Sequence, residues 1–390
     1  MPSDHIVRVD AYPLALPREV PYLGPLEPGV QPNAQGYFIR PGNRSIYSVH
    51  DHCTLVRVET ASGAVGWGEC VAVVAPEVTA TLIRDLLAPQ IMGRNPHDAV
   101  AIYEDLYDAM RVRGFFGGFH LDAIAAVDIA LWDLRGKLLG LSVAQLLGAR
   151  RRDRLAAYAS GLPRATLPER AALAAEMAGR GVRTIKFAAA MAAEGEEAEM
   201  RALRQAVGPG VQIFVDMHWR YTAAEAIRLI TRLESYDLAL AEAPVHPEDI
   251  QGQAEVARAV KTPIGIGEEL RTIHEYLPRF QARCMDTIQP EMGRMGVTAM
   301  WDVCRCAAAH HCRVMPHASI GIGVFQAASL QVSAALPNFV LHEYQHSIFD
   351  RNLRHVTTTM TCDGVAFTLP TGPGLGVEPT TEVLRFARPF

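Results

Sequence analysis

The stretch from residue 211 to 269, VQIFVDMHWRYTAAEAIRLITRLESYDLALAEAPVHPEDIQGQAEVARAVKTPIGIGEE, repeats one pattern three times. A short apolar run ends in an acid, and an amphipathic helical segment follows. The acids are Asp216, Glu242 and Glu268, spaced 26 and 26 residues apart. Outward from this centre the alternation continues. LAAYASG and VRTIKFA precede it, MDTIQP, CRVMPH and FVLHEY follow, and helices such as PERAALAAEMAGRG and VTAMWDVCRCAAAH lie between them. Eight strand-like runs, each followed by a helix, predict an α/β fold of the closed (β/α)₈ barrel type, a TIM barrel, over residues 141–354. Its runs end in Lys186, Asp216, Glu242, Glu268, Glu291, His317 and Glu343, at intervals of 30, 26, 26, 23, 26 and 26 residues. Each therefore occupies the same place in its repeat, at the C-terminal end of a strand. Those ends converge on one mouth of a barrel, where its chemistry is done.

The flanks read differently. HIVRVDAYPLAL is an alternating opening strand, and CTLVRVETASGAVGWGEC is a hairpin turning at Ser62-Gly63. Between them runs a Pro- and Gly-rich segment long enough to be a lid or a binding loop. Helical patterns follow, ending with HLDAIAAVDIALWDLRGKLLG at Gly140. Residues 1–140 thus predict an α+β domain, and 355–390 return to strand and turn character with no ninth repeat.

Composition bounds the function classes. With 37 basic and 42 acidic residues the net charge is −5, and no basic block occurs, which argues against a nucleic-acid partner. No run approaches the ~18 apolar residues needed to span a bilayer, and the first twenty residues lack the apolar core of a secretion signal. Seven cysteines without a CxxC pair read as reduced thiols. The expectation is a cytoplasmic enzyme with no membrane partner.

Three carboxylates on consecutive strands cannot all stay ionised without a cation. Oxygen donors with no cysteine or histidine among them favour one Mg²⁺ per site, with positions left for water or substrate. Opposite stand Lys186, Glu291 and His317, and a histidine beside a carboxylate is suited to general-base work. Together they suggest removal of a proton next to a carboxylate, giving an enediolate stabilised by Mg²⁺ and Lys186. The partner expected is a small-molecule carboxylate substrate.

Several motifs in order resemble one family. They are GWGE (66–69), AVDIALWDLRGK (126–137) followed by LLGAR, YASG (158–161), FVDMH, EAP, GIGEE, IQPEMGRMGVT, MPHASIG and LHEYQHS. The chain is identified as similar to the enolase superfamily, in its mandelate racemase / muconate lactonizing enzyme branch. The resemblance implies a modified barrel covered by a capping domain built from both chain ends. It makes residues 20–45 a mobile lid, has the tail complete the cap, and makes a homo-oligomer plausible. Carried over by position, it makes Asp216, Glu242 and Glu268 the Mg²⁺ ligands and His317 the catalytic base, with Glu291 as its acidic partner where the family has aspartate. Glu343 becomes the acid that holds or polarises the substrate carboxylate, and Lys186 the first lysine of a KxK motif. Ala188 replaces the second lysine, which counts against a two-base racemase unless a tyrosine such as Tyr158 substitutes.

His218, two residues beyond Asp216, is expected on the same inward face by strand alternation. A DxH arrangement there is similar to acid-sugar dehydratases, in which this histidine protonates the departing β-hydroxyl. In the lid, Tyr37, Arg40 and Arg44 are candidates for binding sugar hydroxyls or a second carboxylate, and solvated lid charges are the competing reading. The function expected is therefore a Mg²⁺-dependent aldonate or aldarate dehydratase. A cycloisomerase or epimerase is the alternative, and a non-catalytic metal-binding paralogue a remote one.

Overall fold

The computed structural model describes residues 4–148 and 150–390. Ala149, in the LLGAR motif, and residues 1–3 lie outside it. The opening strand β1 (Ile6–Pro17) pairs antiparallel with β4 (His50–Thr60), which pairs with β5 (Val65–Val71) across the predicted Ser62-Gly63 turn. Gly63 sits there at φ +85°, a conformation glycine adopts without strain. The segment joining β1 to β4 is not bare loop: β2 (Tyr37–Ile39) and β3 (Ile46–Ser48) form a small hairpin inside it. Against this sheet lies the helix Gly118–Leu139, most of whose residues are buried. Gly66 and Gly68 of the GWGE motif let it approach, since a Cβ at either would collide with the helix backbone at Ala130 or Ala126.

That helix also carries polar anchors. Asp128 accepts the N–H (2.9 Å) and hydroxyl (2.6 Å) of Thr298, and Asp133 accepts the N–H groups of Trp67 (2.9 Å) and Leu375 (2.8 Å). Both acids are structural ties, as expected for buried charges on a packed helix.

The predicted eight-stranded barrel is present. Its strands are β6 (Arg154–Ser160), β7 (Thr184–Ala188), β8 (Gln212–Asp216), β9 (Leu238–Glu242), β10 (Ile264–Ile266), β11 (Thr287–Ile288), β12 (Arg313–Val314) and β13 (His342–Tyr344). From β6 to β12 each strand pairs with the next in parallel. β13 closes the ring by pairing with β6 and by the Val340 N–H bond to the Val314 carbonyl (3.0 Å). A helix follows every strand. Thr166 and Thr222 start two of them with reciprocal capping by Glu169 and Glu225. The alanine-rich segment after β7 departs from its helix-forming composition. It makes one helical turn, then breaks at Gly195 (φ +94°) before the helix Glu196–Val207.

The tail divides its contacts. Ala366–Thr368 adds antiparallel to β6, extending the barrel sheet, whereas Arg388 returns to β1 through its N–H to the Pro13 carbonyl (2.8 Å) and pairs with Glu77 (2.8 Å).

Candidate active site

At the C-terminal ends of the barrel strands lies a cavity of about 300 Å³. Lys186, Asp216, His218, Glu268, His317 and Glu343 all line it. Glu242 and Glu291 sit in the wall behind, both almost fully buried.

Two charge clusters organise this wall. The Lys186 ammonium lies 2.8 Å from Glu242 and 2.9 Å from Glu343. Gln289 donates to Glu242 at 2.6 Å, and the Ala318 N–H donates to Glu343 at 3.0 Å. On the facing strands the His317 ring is held at both nitrogens. Its Nδ1 is 2.6 Å from Glu291 Oε2, and its Nε2 meets the Glu268 carboxylate and lies 3.6 Å from Glu343. Burial alone would lower the imidazole pKa, but the charges of Glu268 and Glu343 outweigh it and raise it well above the ordinary value. Burial would likewise raise Glu268, and the imidazolium overcomes that, holding it below the usual carboxylate range.

Asp216 and Glu242 behave oppositely. Burial pushes both to about 7 despite the nearby Lys186 charge, with repulsion from neighbouring carboxylates adding to it. Carboxylates crowded in this way form a site that a hard divalent cation would relieve. The ligand atoms of Glu242, Glu268 and His317 lie within 4.8 Å of one another, a close buried cluster of metal-binding type. Asp216 stands outside that trio because its carboxylate turns to His218 Nε2 (3.1 Å) and accepts the His218 N–H (3.0 Å). An oxygen-rich, buried donor set of this kind fits one Mg²⁺.

His218 reaches the cavity for a different reason from the one predicted. Strand β8 ends at Asp216, so alternation no longer applies. His218 and Trp219 both adopt left-handed backbone, φ +50° and +52°, and this turn brings the imidazole back onto Asp216. Two consecutive non-glycine residues in that region are strained, the kind of cost that collects at functional sites.

The segment joining β1 to β4 places its residues otherwise than expected of a lid. Tyr22, Leu23, Ser45, Ile46 and Tyr47 line the cavity, and Tyr37, Arg40 and Arg44 do not. The Tyr37 hydroxyl accepts the Ala75 N–H (2.9 Å). Arg40 is fully buried within the loop, donating to the carbonyls of Tyr22 and Gly24 (2.6 Å each) and pairing with Glu27 (2.9 Å). Arg44 is exposed in the hairpin turn. Tyr158 lies beneath the cavity, its ring 5.5 Å from Lys186 Nζ. Sequence reasoning did not single out four other lining residues, Trp219, Glu269, Arg271 and Arg294. Their signals were faint: the residue beside His218, the second acid of GIGEE, a single arginine in a loop (Arg271) and one in the first turn of the helix Met292–Ala309 (Arg294).

A capped barrel with carboxylates, a lysine and a carboxylate-paired histidine at its mouth defines the class of metal-dependent enzymes acting on carbon acids. Within that class, residues 169–383 match the enolase C-terminal domain-like model, and residues 32–148 match the mandelate racemase / muconate lactonizing enzyme N-terminal domain. The chain belongs to this mandelate racemase / muconate lactonizing enzyme family of the enolase superfamily. It is 32% identical over 343 residues to a D-galactarolactone cycloisomerase of Agrobacterium fabrum, covering 85% of this chain and 89% of the relative. It is 31% identical over 346 residues to a D-gluconate dehydratase of Thermoproteus tenax, covering 85% and 68%. Among solved structures it is similar to an enolase-superfamily member from Agrobacterium tumefaciens (45% identity, 99% of both chains, TM-score 0.95). A Sinorhizobium meliloti protein aligns at 51% identity over 98% of this chain and 99% of that one, with a TM-score of 0.97. No described helix is long and apolar enough to cross a membrane.

Proposed function

We propose that this protein removes the proton α to the carboxylate of a sugar acid and expels the β-hydroxyl as water, giving a 2-keto-3-deoxy acid after tautomerisation. The observation that carries this is the pair of histidines after different strands at one cavity, His317 aimed by Glu291 and His218 opening onto the same space. Elimination of hydroxide needs an acid as well as a base, and the two imidazoles supply one each. In this reading Asp216, Glu242 and Glu268 hold Mg²⁺, for which Asp216 turns away from His218. When bound, that ion supplies positive charge to the substrate carboxylate and lowers the acidity barrier of its α-carbon. Lys186 and Glu343 position the carboxylate, and the Lys186 ammonium faces the charge that develops on it. With Glu268 engaged as a metal ligand, His317 Nε2 would be released from the carboxylate that keeps it protonated and would take the α-proton, with Glu291 fixing the ring through Nδ1. His218 delivers a proton to the leaving hydroxyl.

Ala188 lines the cavity where a second basic lysine would stand in a two-base racemase. Tyr158 is no replacement, since its hydroxyl is sealed beneath the cavity and burial raises it well above the ordinary phenol value. Both features argue against an epimerase. The cycloisomerase relative favours a second reading, in which the same residues open or close a ring by β-elimination. The parallel proposal for the whole molecule is a cytoplasmic homo-oligomer, in keeping with its seven free cysteines.

Incubation with Mg²⁺ and a panel of aldonates and aldarates, read by semicarbazide-reactive keto acids, tests the function. Turnover of at least one stereoisomer is expected, and inertness across the whole panel contradicts it.

A further inference from the structure

Five basic side chains line the cavity: Lys186, His218, Arg271, Arg294 and His317. Four of them already face carboxylates. Lys186 lies against Glu242 and Glu343, His218 against Asp216, His317 against Glu268 and Glu291, and the Arg271 guanidinium against Asp122 (2.8 Å). Arg294 alone has no carboxylate partner and no side-chain hydrogen bond among the described residues. Its Nε is closed off, but the residue is half-buried and its two Nη nitrogens are not sealed. The backbone that presents it is fixed. The Arg294 N–H donates to the Glu291 carbonyl (3.1 Å), and further along the same helix the Thr298 N–H is held by Asp128 (2.9 Å).

Its position suits the far end of an elongated acid. Lys186 lies on the second strand of the ring, β7, and Arg294 follows the sixth, β11, so the two stand on opposite sides of an eight-stranded mouth. Val73, Arg271 and Arg294 also line a neighbouring cavity of about 290 Å³, which puts Arg294 at the outer edge, away from Lys186 and Glu343. A guanidinium pairs with a carboxylate through two parallel N–H groups, and Nη1 and Nη2 form such a fork without Nε. A ligand hydroxyl could accept from it but would leave its charge unbalanced. A second carboxylate balances it.

We infer that Arg294 is the specificity-determining residue for a second carboxylate, and that the substrate is a dicarboxylic sugar acid, an aldarate, in preference to the aldonate of the same configuration. This rests on the sugar-acid reading above and narrows it. One carboxylate goes to the Lys186 side, where the proton beside it is removed, and the other goes to Arg294. Arg40 and Arg44, the arginines expected in this role, do not line the cavity. An aldonate ends in a hydroxymethyl group at that point and leaves the guanidinium without its counter-charge, which is what separates the two substrate classes.

Binding by the His317→Asn protein tests this apart from turnover. With saturating Mg²⁺, calorimetry would compare galactarate with galactonate and glucarate with gluconate, pairs that differ only at the distal carbon. In at least one pair the aldarate is expected to bind about tenfold more tightly or better. Adding Arg294→Met should bring that pair within about threefold by weakening the aldarate. Arg294→Lys, which keeps the charge but not the fork, should keep part of the preference. Arg294→Gln serves if the methionine variant does not fold. Equal binding within both pairs by the starting protein, an undiminished preference in the variants, an equal weakening of both acids, or no binding of any of these acids would overturn the proposal. If the preference appears but the native enzyme releases no keto acid, Arg294 stands and the dehydration reading falls. Keto acid released from aldonates with no preference for aldarates leaves that reading standing and sinks the proposal.

Discussion

Glu291 Oε2 lies 2.6 Å from His317 Nδ1, so the ring is aimed by one carboxylate while its other nitrogen faces the cavity. This fixes the ring's orientation and leaves Nε2 as the atom that meets the substrate. His317→Asn should lower kcat by about 10⁴-fold or more, and Glu291→Gln by about 10²–10³-fold, both with native circular dichroism. A Glu291→Gln enzyme with unchanged kcat would show that the pair is only structural.

Removal of Mg²⁺ should abolish turnover and lower stability together. Burial holds Asp216 and Glu242 near 7, so a cation bound among these carboxylates stabilises the fold that contains them. At a hundred times its Kd, Mg²⁺ should add about 2.7 kcal/mol, seen as a higher Tm in differential scanning calorimetry. Asp216→Asn should weaken the Mg²⁺ affinity about 10–100-fold and shrink that gain. An unchanged Tm on addition of the ion would contradict the assignment.

Much of this site is visible in the residue spacing, because a βα repeat returns each strand end to the same rim. Lys186, Asp216, Glu268, His317 and Glu343 were placed by that periodicity alone, and they line one cavity. Spacing carries no information about backbone that leaves the repeat. His218 arrives through two left-handed residues, not through alternation. Arg40 looks like a ligand-binding lid charge, yet it is turned inward to satisfy carbonyls of its own loop. The hairpin that brings Ser45 and Tyr47 to the cavity is three residues per strand, too short to leave a periodic pattern.

Arg40 should act on the fold of the segment joining β1 to β4 rather than on the substrate directly. Its guanidinium ties Tyr22 and Gly24 carbonyls to Glu27, and Tyr22 lines the cavity. Arg40→Met should raise KM several-fold for every substrate alike, with kcat little changed, and should open residues 18–49 to limited proteolysis. A loss confined to dicarboxylate substrates would instead mean direct contact.

Asp128 should impose a pH dependence on stability. Burial raises its carboxyl to about 7 in the folded chain, only partly offset by the hydrogen bonds from Thr298. Because the folded value lies above the unfolded one, its contribution is fully present below about pH 4 and is lost as pH rises through 7. The slope it adds is at most about 1.4 kcal/mol per pH unit. Urea unfolding between pH 4 and 8 should show wild type losing stability relative to Asp128→Asn as pH rises; parallel curves would exclude the shift.

The central claim is that His317 takes the α-proton and His218 then releases the β-hydroxyl. Proton NMR in D₂O, with Mg²⁺ and a sugar acid that the enzyme turns over, reads both steps in one tube. Wild type should lose the α-proton signal and form a keto acid carrying deuterium at the former α-carbon's neighbour. His218→Gln should exchange the α-proton while releasing little product, and His317→Asn should do neither. A wild-type product of unchanged formula, or exchange that persists without His317, would contradict the account.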